Sequence, residues 1–389
     1  MAIRYLPRSS SVRTAALAVV ALVVLPTPFA AAAPAEPAPP KPVPAYSSTL
    51  LDRPGTQARP GAGAPALPAD VSALSWLVAD ARTGEVLAAH NAHRQLPPAS
   101  TLKSLFALTA LPHLDAAARH KVSQSELSGV GDGSSLVGVE AGRSYRVSDL
   151  WRGVFLSSGN DAVHVLAELN GGWQQTVRQM RAKARALGAR DTHVVSPDGY
   201  DAAGQVSSAY DLAVFGRAGL ADPEFARYCA TPVAQFPHGN WSQPIRNTNR
   251  LLTGADGVAR YPGLVGIKNG YTSHAGHTLI SAAQRGNRTL VVSVMNPQEG
   301  GGYAVYEEAR SLLDWGFKAA GRVQPVGSLL PQGEQSRTAQ GPVPAAPESD
   351  DSDWTAILLV GAGSAVILVG AVRVIRRRTA RAHRSSGRD

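Results

Sequence analysis

Apolar residues in the central part of the chain follow a strand-like pattern near both ends and a helical period between them. Residues 74–90 contain two β-favouring runs around a turn with Gly84, which is typical of a hairpin. Residues 264–271 predict a strand, and 277–285 with 288–295 predict a second hairpin. Helices are predicted where apolar residues recur every three or four positions, at residues 101–111, 148–156, 161–169, 173–187, 209–220 and 305–317.

This order of elements predicts an α+β fold for residues 69–319. Strands from the two ends of the folded region would share one antiparallel sheet flanked by helices, and the central helices would form an inserted helical subdomain. Ser148 is the expected cap of the second helix, and Gly188 the expected stop of the fourth. A hydrophobic fraction of 44% is enough for a sizeable core.

The N-terminus has the composition of a secretory signal peptide, predicted over residues 1–33. A basic start precedes an apolar run at 15–25 and small residues at 30–33 that suit a signal peptidase. The apolar run is short for a full membrane span, which needs about 20 residues. Residues 34–68 are rich in Pro and Ala without an apolar period, and they predict an extended linker.

The C-terminal part predicts a membrane anchor. A second Pro-rich linker is expected at 320–353, followed by an uncharged stretch at 354–372 that is long enough to cross a bilayer. The basic tail at 373–389 belongs in the cytoplasm by the positive-inside rule. The sequence therefore predicts a single-pass protein of the cell membrane, with its folded domain outside and its C-terminus in the cytoplasm.

The net charge of +9 does not indicate a nucleic-acid partner, because it resides at the ends. Residues 1–33 carry three Arg and no acid, and residues 373–389 carry seven Arg and one Asp, so the charges of residues 34–372 balance. The single cysteine, Cys229, allows no intramolecular disulfide and is expected to be a small core residue.

Ser100 and Lys103 form the first of three short motifs that carry candidate chemistry. On a helix, positions i and i+3 share a face, so the lysine amine can approach the serine hydroxyl. A neutral amine could accept the hydroxyl proton, but the pKa of Lys103 would have to fall by about three units through burial or a neighbouring cation. Ser-x-x-Lys alone is a weak signal.

The second and third motifs supply the remaining candidates. Ser158 and Asn160 stand in a predicted turn between two helices, where Ser158 could relay a proton and Asn160 could hold a substrate amide. Lys268 stands with Asn269 and Gly270 at the end of a predicted strand. Lys268 would supply a second cation and a site for a substrate carboxylate, and the glycine would let a substrate backbone approach the strand edge.

The order and spacing of the three motifs match the set found in penicillin-binding proteins and class A β-lactamases. Longer segments resemble the low-molecular-mass penicillin-binding proteins that are serine-type D-alanyl-D-alanine carboxypeptidases, and the similarity covers about residues 70–318. These segments are GSSLVGVEAGRSYRVSDLWRGVFLSSGNDAV, LGARDTHVVSPDGYDAAGQVSSAYDLA, NTNRLL and YPGLVGIKNGYTSHAG.

The resemblance implies a penicillin-binding protein/β-lactamase-like fold and a serine mechanism without metal or cofactor. Ser100 would be the acylated nucleophile and Lys103 its base. Lys268 would support the substrate carboxylate and help to keep Lys103 neutral. The backbone N–H groups of Ser100 and Tyr271 would form an oxyanion hole. The implied substrate is the peptidoglycan stem peptide, which would lose its terminal D-alanine, and β-lactam antibiotics would be covalent inhibitors.

The sequence departs from the family pattern at Asn269, where the family usually has Thr. The departure puts substrate preference and rate in doubt, and Thr272 is a candidate to supply the missing hydroxyl. We also expect this chain to lack the β-rich C-terminal domain that many members of the family carry.

Several alternatives stay open. A β-lactamase of the same fold would need a Glu about 35 residues after the second motif, and residues 190–200 contain none. A transpeptidase or endopeptidase would use the same residues, and a catalytically silent wall-binding or regulatory protein would use the groove only for recognition. A zinc peptidase is disfavoured because the pairs His90/His93 and His274/His277 do not stand in an HExxH frame.

Overall fold

The computed structural model describes residues 50–331 of the chain. The predicted signal peptide at 1–33, membrane span at 354–372 and basic tail at 373–389 lie outside these residues and stay predictions. Within residues 50–331, no helix combines the length and apolar character needed to cross a membrane.

An antiparallel sheet of eight strands, in the order β11-β1-β3-β2-β10-β9-β8 with β12 also paired to β3, forms the centre of the described structure. Two separate two-stranded sheets, β4–β5 and β6–β7, accompany it. The strands are β1 (Thr56–Pro60), β2 (Ser75–Asp80), β3 (Glu85–His90), β4 (Arg119–Lys121), β5 (Ser144–Arg146), β6 (Val233–His238), β7 (Trp241–Arg246), β8 (Leu264–Thr272), β9 (Gly276–Arg285), β10 (Arg288–Met295), β11 (Val323–Gln324) and β12 (Gly327–Ser328).

Helices cover both faces of this sheet. The described helices are α1 (Lys103–Ala110), α2 (Gln124–Leu127), α3 (Val147–Leu156), α4 (Asn160–Leu169), α5 (Trp173–Ala186), α6 (Ala209–Leu220), α7 (Pro223–Cys229), α8 (Arg250–Thr253) and α9 (Ala304–Ala319). The helix α9 packs on β9 and β10 from one side, and α6 packs on β2 and β10 from the other. Residues 290–295 of β10 are all buried, because the strand is covered on both faces.

The predicted architecture is confirmed. The two predicted hairpins are β2–β3 and β9–β10, and β10 pairs with β2, so strands from both ends of the folded region share one sheet. The helices α1 to α7 lie between β3 and β8 in the chain and build the inserted helical subdomain. Its core, centred on Trp151 and Phe155, continues to the sheet, and a second core lies between the sheet and α9.

Parts of both predicted linkers are folded. Residues 56–60, within the predicted linker 34–68, form β1, whose Gln57 and Ala58 pair with β3. Within the predicted linker 320–353, β11 pairs with β1 and β12 pairs with β3. The prediction of unstructured chain is therefore wrong for these strands, which extend the sheet beyond β3. Residues 34–49 and 332–353 lie outside the described part.

The predicted cap of α3 is also wrong. The helix begins at Val147, and the side chain of the preceding Arg146 makes no capping hydrogen bond. The first free amides of the helix, those of Val147 and Ser148, instead donate to the backbone carbonyls of Ala118 and Ala116 at 2.9 and 3.0 Å. The helix N-terminus is thus satisfied by a neighbouring loop.

Candidate active site

Ser100 lies in a 3₁₀ turn, Ala99–Leu102, that runs directly into α1. Ala99 has a positive φ of 49°, which is uncommon for a residue with a Cβ. The hydroxyl of Thr278 on β9 donates to the Pro98 carbonyl at 2.9 Å and ties the turn to the sheet. The predicted helical start at Ser100 is therefore a tight turn that the sheet holds in place.

Lys103 meets Ser100 as the spacing predicts. Its Nζ lies 2.7 Å from the Ser100 Oγ and also donates to the Asp198 backbone carbonyl at 2.7 Å. The side chain is only 1% exposed. Burial lowers the pKa of Lys103 to about 8, although the Asp198 and Asp161 carboxylates act in the opposite direction. At neutral pH, part of the Lys103 population is therefore in the neutral form, which can accept a proton.

Lys268 is the second buried amine. It lies on β8, is 1% exposed, and donates to the Asn269 backbone carbonyl at 2.8 Å. Burial, followed by the positive charge of Lys103, lowers the pKa of Lys268 well below its usual range. Two buried amines that repel each other disfavour double protonation, so the pair favours a state in which at least one of them is neutral.

Ser158 and Asn160 of the second motif lie at the turn between α3 and α4. Ser158 has a positive φ of 58°, and its buried hydroxyl has no hydrogen-bond partner among the described residues. Asn160 donates through Nδ2 to the Ser134 Oγ at 3.0 Å. A buried, unpaired hydroxyl on a strained residue is costly, and such groups concentrate at functional sites.

Asp161, which sequence reasoning did not select, fixes the wall of the site next to Asn160. Its carboxylate accepts hydrogen bonds from the backbone amides of Val137, Gly138 and Val139 at 2.8 to 3.2 Å. Its Oδ1 also accepts from the Ala162 amide at 2.9 Å. One buried carboxylate thus holds the segment that follows Ser134 and Ser135 against the start of α4.

A cleft of about 220 Å³ opens above Ser100. Among the residues predicted for the site, Ser100, Asn160, Tyr271 and Thr272 line it, while Lys103 and Lys268 lie buried. The residues of the lining that sequence reasoning missed are Asp132, Gly133, Ser134, Ser135, Gly199, Tyr200, Asp201 and Ser273. These belong to two loops, 132–135 and 199–201, and to the β8–β9 turn, and the sequence pattern gave no sign that these segments meet.

Asn269, Gly270 and Thr272 have different surroundings along β8. A Cβ at Gly270 would lie 2.6 Å from the Ser100 backbone nitrogen, so the strand and the 3₁₀ turn touch here. The Asn269 Oδ1 accepts from the Thr248 hydroxyl at 2.9 Å. The Thr272 hydroxyl donates to the Asp201 Oδ1 at 2.7 Å. The Thr272 hydroxyl therefore already donates its hydrogen bond to Asp201, so Thr272 is a poor replacement for the missing threonine.

Tyr271 presents its ring to solvent, with 62% of the residue exposed, and the ring lies 4.6 Å from that of His277.

The other histidines considered from sequence pair with neighbouring polar groups: His90 with Thr56, His93 with Asp191, and His274 with Asp201. Residues 50–331 contain no group of three or more His, Cys, Asp or Glu side chains that could hold a metal ion. Cys229 is a buried free thiol, and burial raises its pKa to about 12.

Comparison with known proteins identifies relatives with this architecture. Residues 62–299 match the family of D-alanyl-D-alanine carboxypeptidases, peptidase family S11. D-alanyl-D-alanine carboxypeptidase DacB2 of Mycobacterium tuberculosis is 42% identical over 266 residues, which cover 67% of this chain and 87% of that protein. D-alanyl-D-alanine carboxypeptidase DacD of Escherichia coli is 36% identical over 262 residues, or 64% of each chain.

A solved structure supports the same assignment. The crystal structure of a D-alanyl-D-alanine carboxypeptidase from M. tuberculosis superimposes with a TM-score of 0.63 at 41% sequence identity, and the match covers 70% of this chain and all of that one. The fold and the family resemblance expected from sequence are thereby confirmed. The chain belongs to the D-alanyl-D-alanine carboxypeptidase family of serine hydrolases.

Proposed function

We propose that the protein removes the terminal D-alanine from peptidoglycan stem peptides through an acyl-enzyme on Ser100. The observation that carries the proposal is the 2.7 Å contact between the Ser100 Oγ and the Lys103 Nζ at the floor of a cleft. The buried amine, with its lowered pKa, is the base that a serine nucleophile needs. The names of the relatives supply the substrate class.

Acylation forms one bond and breaks another. The Ser100 Oγ attacks the carbonyl of the penultimate D-alanine while its proton passes to Lys103. The backbone amides of Ser100 and Tyr271 are the proposed donors to the developing oxyanion. The proton then moves to the nitrogen of the leaving D-alanine, with the unpaired Ser158 hydroxyl as the proposed relay. Free D-alanine departs and the ester stays on Ser100.

Hydrolysis of the ester returns the enzyme to its starting state. Water attacks the ester carbonyl, its proton is taken by the neutral Lys103, and the Ser100 oxygen leaves with a proton from that amine. A β-lactam ring would acylate Ser100 by the same first step, and the amide nitrogen of the opened ring would stay attached to the acyl group. Covalent labelling by a penicillin is therefore expected.

We propose that this chemistry takes place outside the cell, at the membrane surface. The support is the signal-like composition of residues 1–33 and the uncharged stretch at 354–372, which is followed by a basic tail. Cell-wall peptides lie on that side of the membrane. A protease-protection assay on intact and lysed cells tests the topology without reference to activity.

The test of function uses two readouts on the full chain. Incubation with a peptide that ends in D-Ala-D-Ala is expected to release free D-alanine, and a fluorescent penicillin is expected to label the protein. Ser100→Ala should abolish both. Labelling without release in the wild type would favour a transpeptidase or a silent binding protein. Labelling that persists in Ser100→Ala would remove the nucleophile assignment.

A further inference from the structure

The hairpin β6–β7 carries an exposed tryptophan that the proposed chemistry does not use. Trp241 is 60% exposed, although tryptophan normally buries most of its surface. Its ring lies flat on that of His238, with 4.7 Å between centroids and an angle of 17°. The outer face of the indole is thus presented to solvent in one orientation.

The support beneath the indole is rigid. The His238 ring is buried, packs edge-on against Phe236 at 5.6 Å, and stands close enough to Gly138 that a Cβ there would lie 2.8 Å from it. Its Nδ1 lies 3.4 Å from the Glu140 Oε1, and Glu140 also accepts from Arg143 at 2.6 Å. The indole therefore loses little conformational freedom when it binds a ligand. The Glu140 carboxylate and the Arg143 guanidinium lie on the same side of the indole as His238.

A short segment connects this tip with the cleft. Ser134 and Ser135 line the cleft, and Gly138, three residues further on, packs under His238. Three residues of chain span at most about 10 Å. Between them, Leu136 is 58% exposed, and the Val137 carbonyl accepts from the Gln243 Nε2 at 3.4 Å. The cleft rim and the hairpin tip are thus neighbouring parts of one surface.

A flat, exposed aromatic face suits a sugar ring. A pyranose has one face of C–H groups, which packs on the electron-rich face of an indole, and a rim of hydroxyls that seeks amide, carboxylate or guanidinium partners.

We propose that Trp241, supported by His238, binds a pyranose of the wall glycan beside the cleft. The proposal rests on the proposed function for the identity of the polymer, because the stem peptide is attached to that glycan. Residues 135–138 connect the cleft with the support of the tip over at most about 10 Å, so one polymer can reach both.

Binding of peptide-free glycan strands to the full chain in detergent tests the proposal apart from catalysis. Trp241→Ala is expected to weaken binding at least fivefold, and Trp241→Phe, which keeps a flat ring, to restore most of it. Val233→Ala is the matched control, because Val233 is also exposed but lies at the base of the same hairpin. It should bind as the wild type does. Equal binding by wild type and Trp241→Ala, or equal loss in Val233→Ala, would overturn the proposal.

Kinetics separate this proposal from the proposed function. Trp241→Ala should raise KM for a disaccharide-linked peptide and leave KM for the sugar-free peptide unchanged. A rise for both substrates would assign Trp241 to peptide binding and overturn the sugar site. If the wild type released no D-alanine from either substrate but bound glycan through Trp241, the proposed function alone would fail. Loss of binding to lipid vesicles, with glycan binding intact, would assign the tip to the membrane and overturn the sugar site.

Discussion

Gly270 on β8 lies against the nucleophile turn so closely that a methyl group at this position would stand 2.6 Å from the Ser100 backbone nitrogen. Gly270→Ala must therefore push β8 away from the turn and disturb the amide of Ser100. We expect the rate of acylation by a fluorescent penicillin to fall at least about tenfold, the usual scale for a displaced oxyanion donor. A stopped-flow or gel-based labelling time course measures this rate.

A second glycine controls for simple loss of stability. Gly286 stands in the β9–β10 turn with φ of 60° and no atom within 4 Å of a built Cβ. Gly286→Ala should lower the midpoint of thermal unfolding, since a Cβ strains this backbone conformation, but leave the labelling rate unchanged. If Gly270→Ala labelled at the wild-type rate, the contact between β8 and the turn would have no part in acylation.

The pH dependence of acylation should follow the buried amine of Lys103. The pKa of this group is lowered to about 8, mainly by burial, and only the neutral form can accept the Ser100 proton. The rate of β-lactam acylation is therefore expected to rise with pH, about tenfold per unit below this pKa, and to level off above it. A rate that stayed flat from pH 6 to 9 would contradict Lys103 as the base.

A substitution at Asp161 is also expected to shift the pH dependence of the acylation rate. Its negative charge opposes the lowering of the Lys103 pKa, and its carboxylate holds three successive amides of residues 137–139. Asp161→Asn should shift the rise in rate to lower pH and destabilise the fold by about 2 kcal/mol, because buried amides lose acceptors. The control is Glu168→Gln on the same helix, which should change neither. An unshifted profile would show that the charge of Asp161 does not reach Lys103.

Much of the fold and the reactive pair could be predicted from sequence because both depend on local periodicity. The i, i+3 spacing of Ser100 and Lys103 brings the two side chains together in a 3₁₀ turn as it would in an α-helix. Strand β10 was predicted over its observed residues because its apolar run is bounded by the turn at Gly286.

Contacts between residues that are far apart in the sequence could not be predicted from it. Residues 56–60 form a strand only because β3 and β11 lie beside them, and the surrounding Pro and Gly resemble a linker. The role of Asp198 could not be predicted because its backbone carbonyl, which any residue type would supply, is the group that holds Lys103. The hydrogen bond that the Thr272 hydroxyl donates could not be predicted, because its acceptor, Asp201, is 71 residues away in sequence.

Asn269 is expected to carry part of substrate recognition. Its Oδ1 accepts from Thr248, which leaves its Nδ2 to donate to a substrate carboxylate. Asn269→Ala should raise KM for a D-Ala-D-Ala peptide about tenfold, the value of one charge-assisted hydrogen bond, with a smaller change in kcat. Asn269→Thr should restore most of this loss, because a hydroxyl can donate in the same place. A wild-type KM in Asn269→Ala would remove this residue from the substrate site.

Asp211 makes the stability of the fold depend on pH at a place away from the predicted site residues. The residue lies on α6 and is fully buried. Its Oδ2 accepts hydrogen bonds from the Asp191 amide at 2.9 Å and from the Thr192 hydroxyl at 2.6 Å. Its Oδ1 has no hydrogen-bond partner among the described residues. Burial raises the pKa of Asp211 to about 7, although the bond from Thr192 acts against this and the charge of Asp191 adds to it. Between pH about 4 and 7 the folded state thus keeps a proton that the unfolded chain has released.

The sign of the effect follows from this difference in bound protons. The contribution of Asp211 is most favourable below its unfolded pKa of about 4, declines as pH rises, and is level above about 7. Asp211→Asn keeps an oxygen acceptor without the charge, so its free energy of unfolding relative to the wild type should rise by about 4 kcal/mol between pH 4 and pH 8. Urea unfolding midpoints measured across this range test the prediction, with the exposed Asp70→Asn as the control. A constant difference between variant and wild type at all pH values would mean that the pKa of Asp211 is the same in the folded and unfolded states, because the difference changes only where the two states bind different numbers of protons.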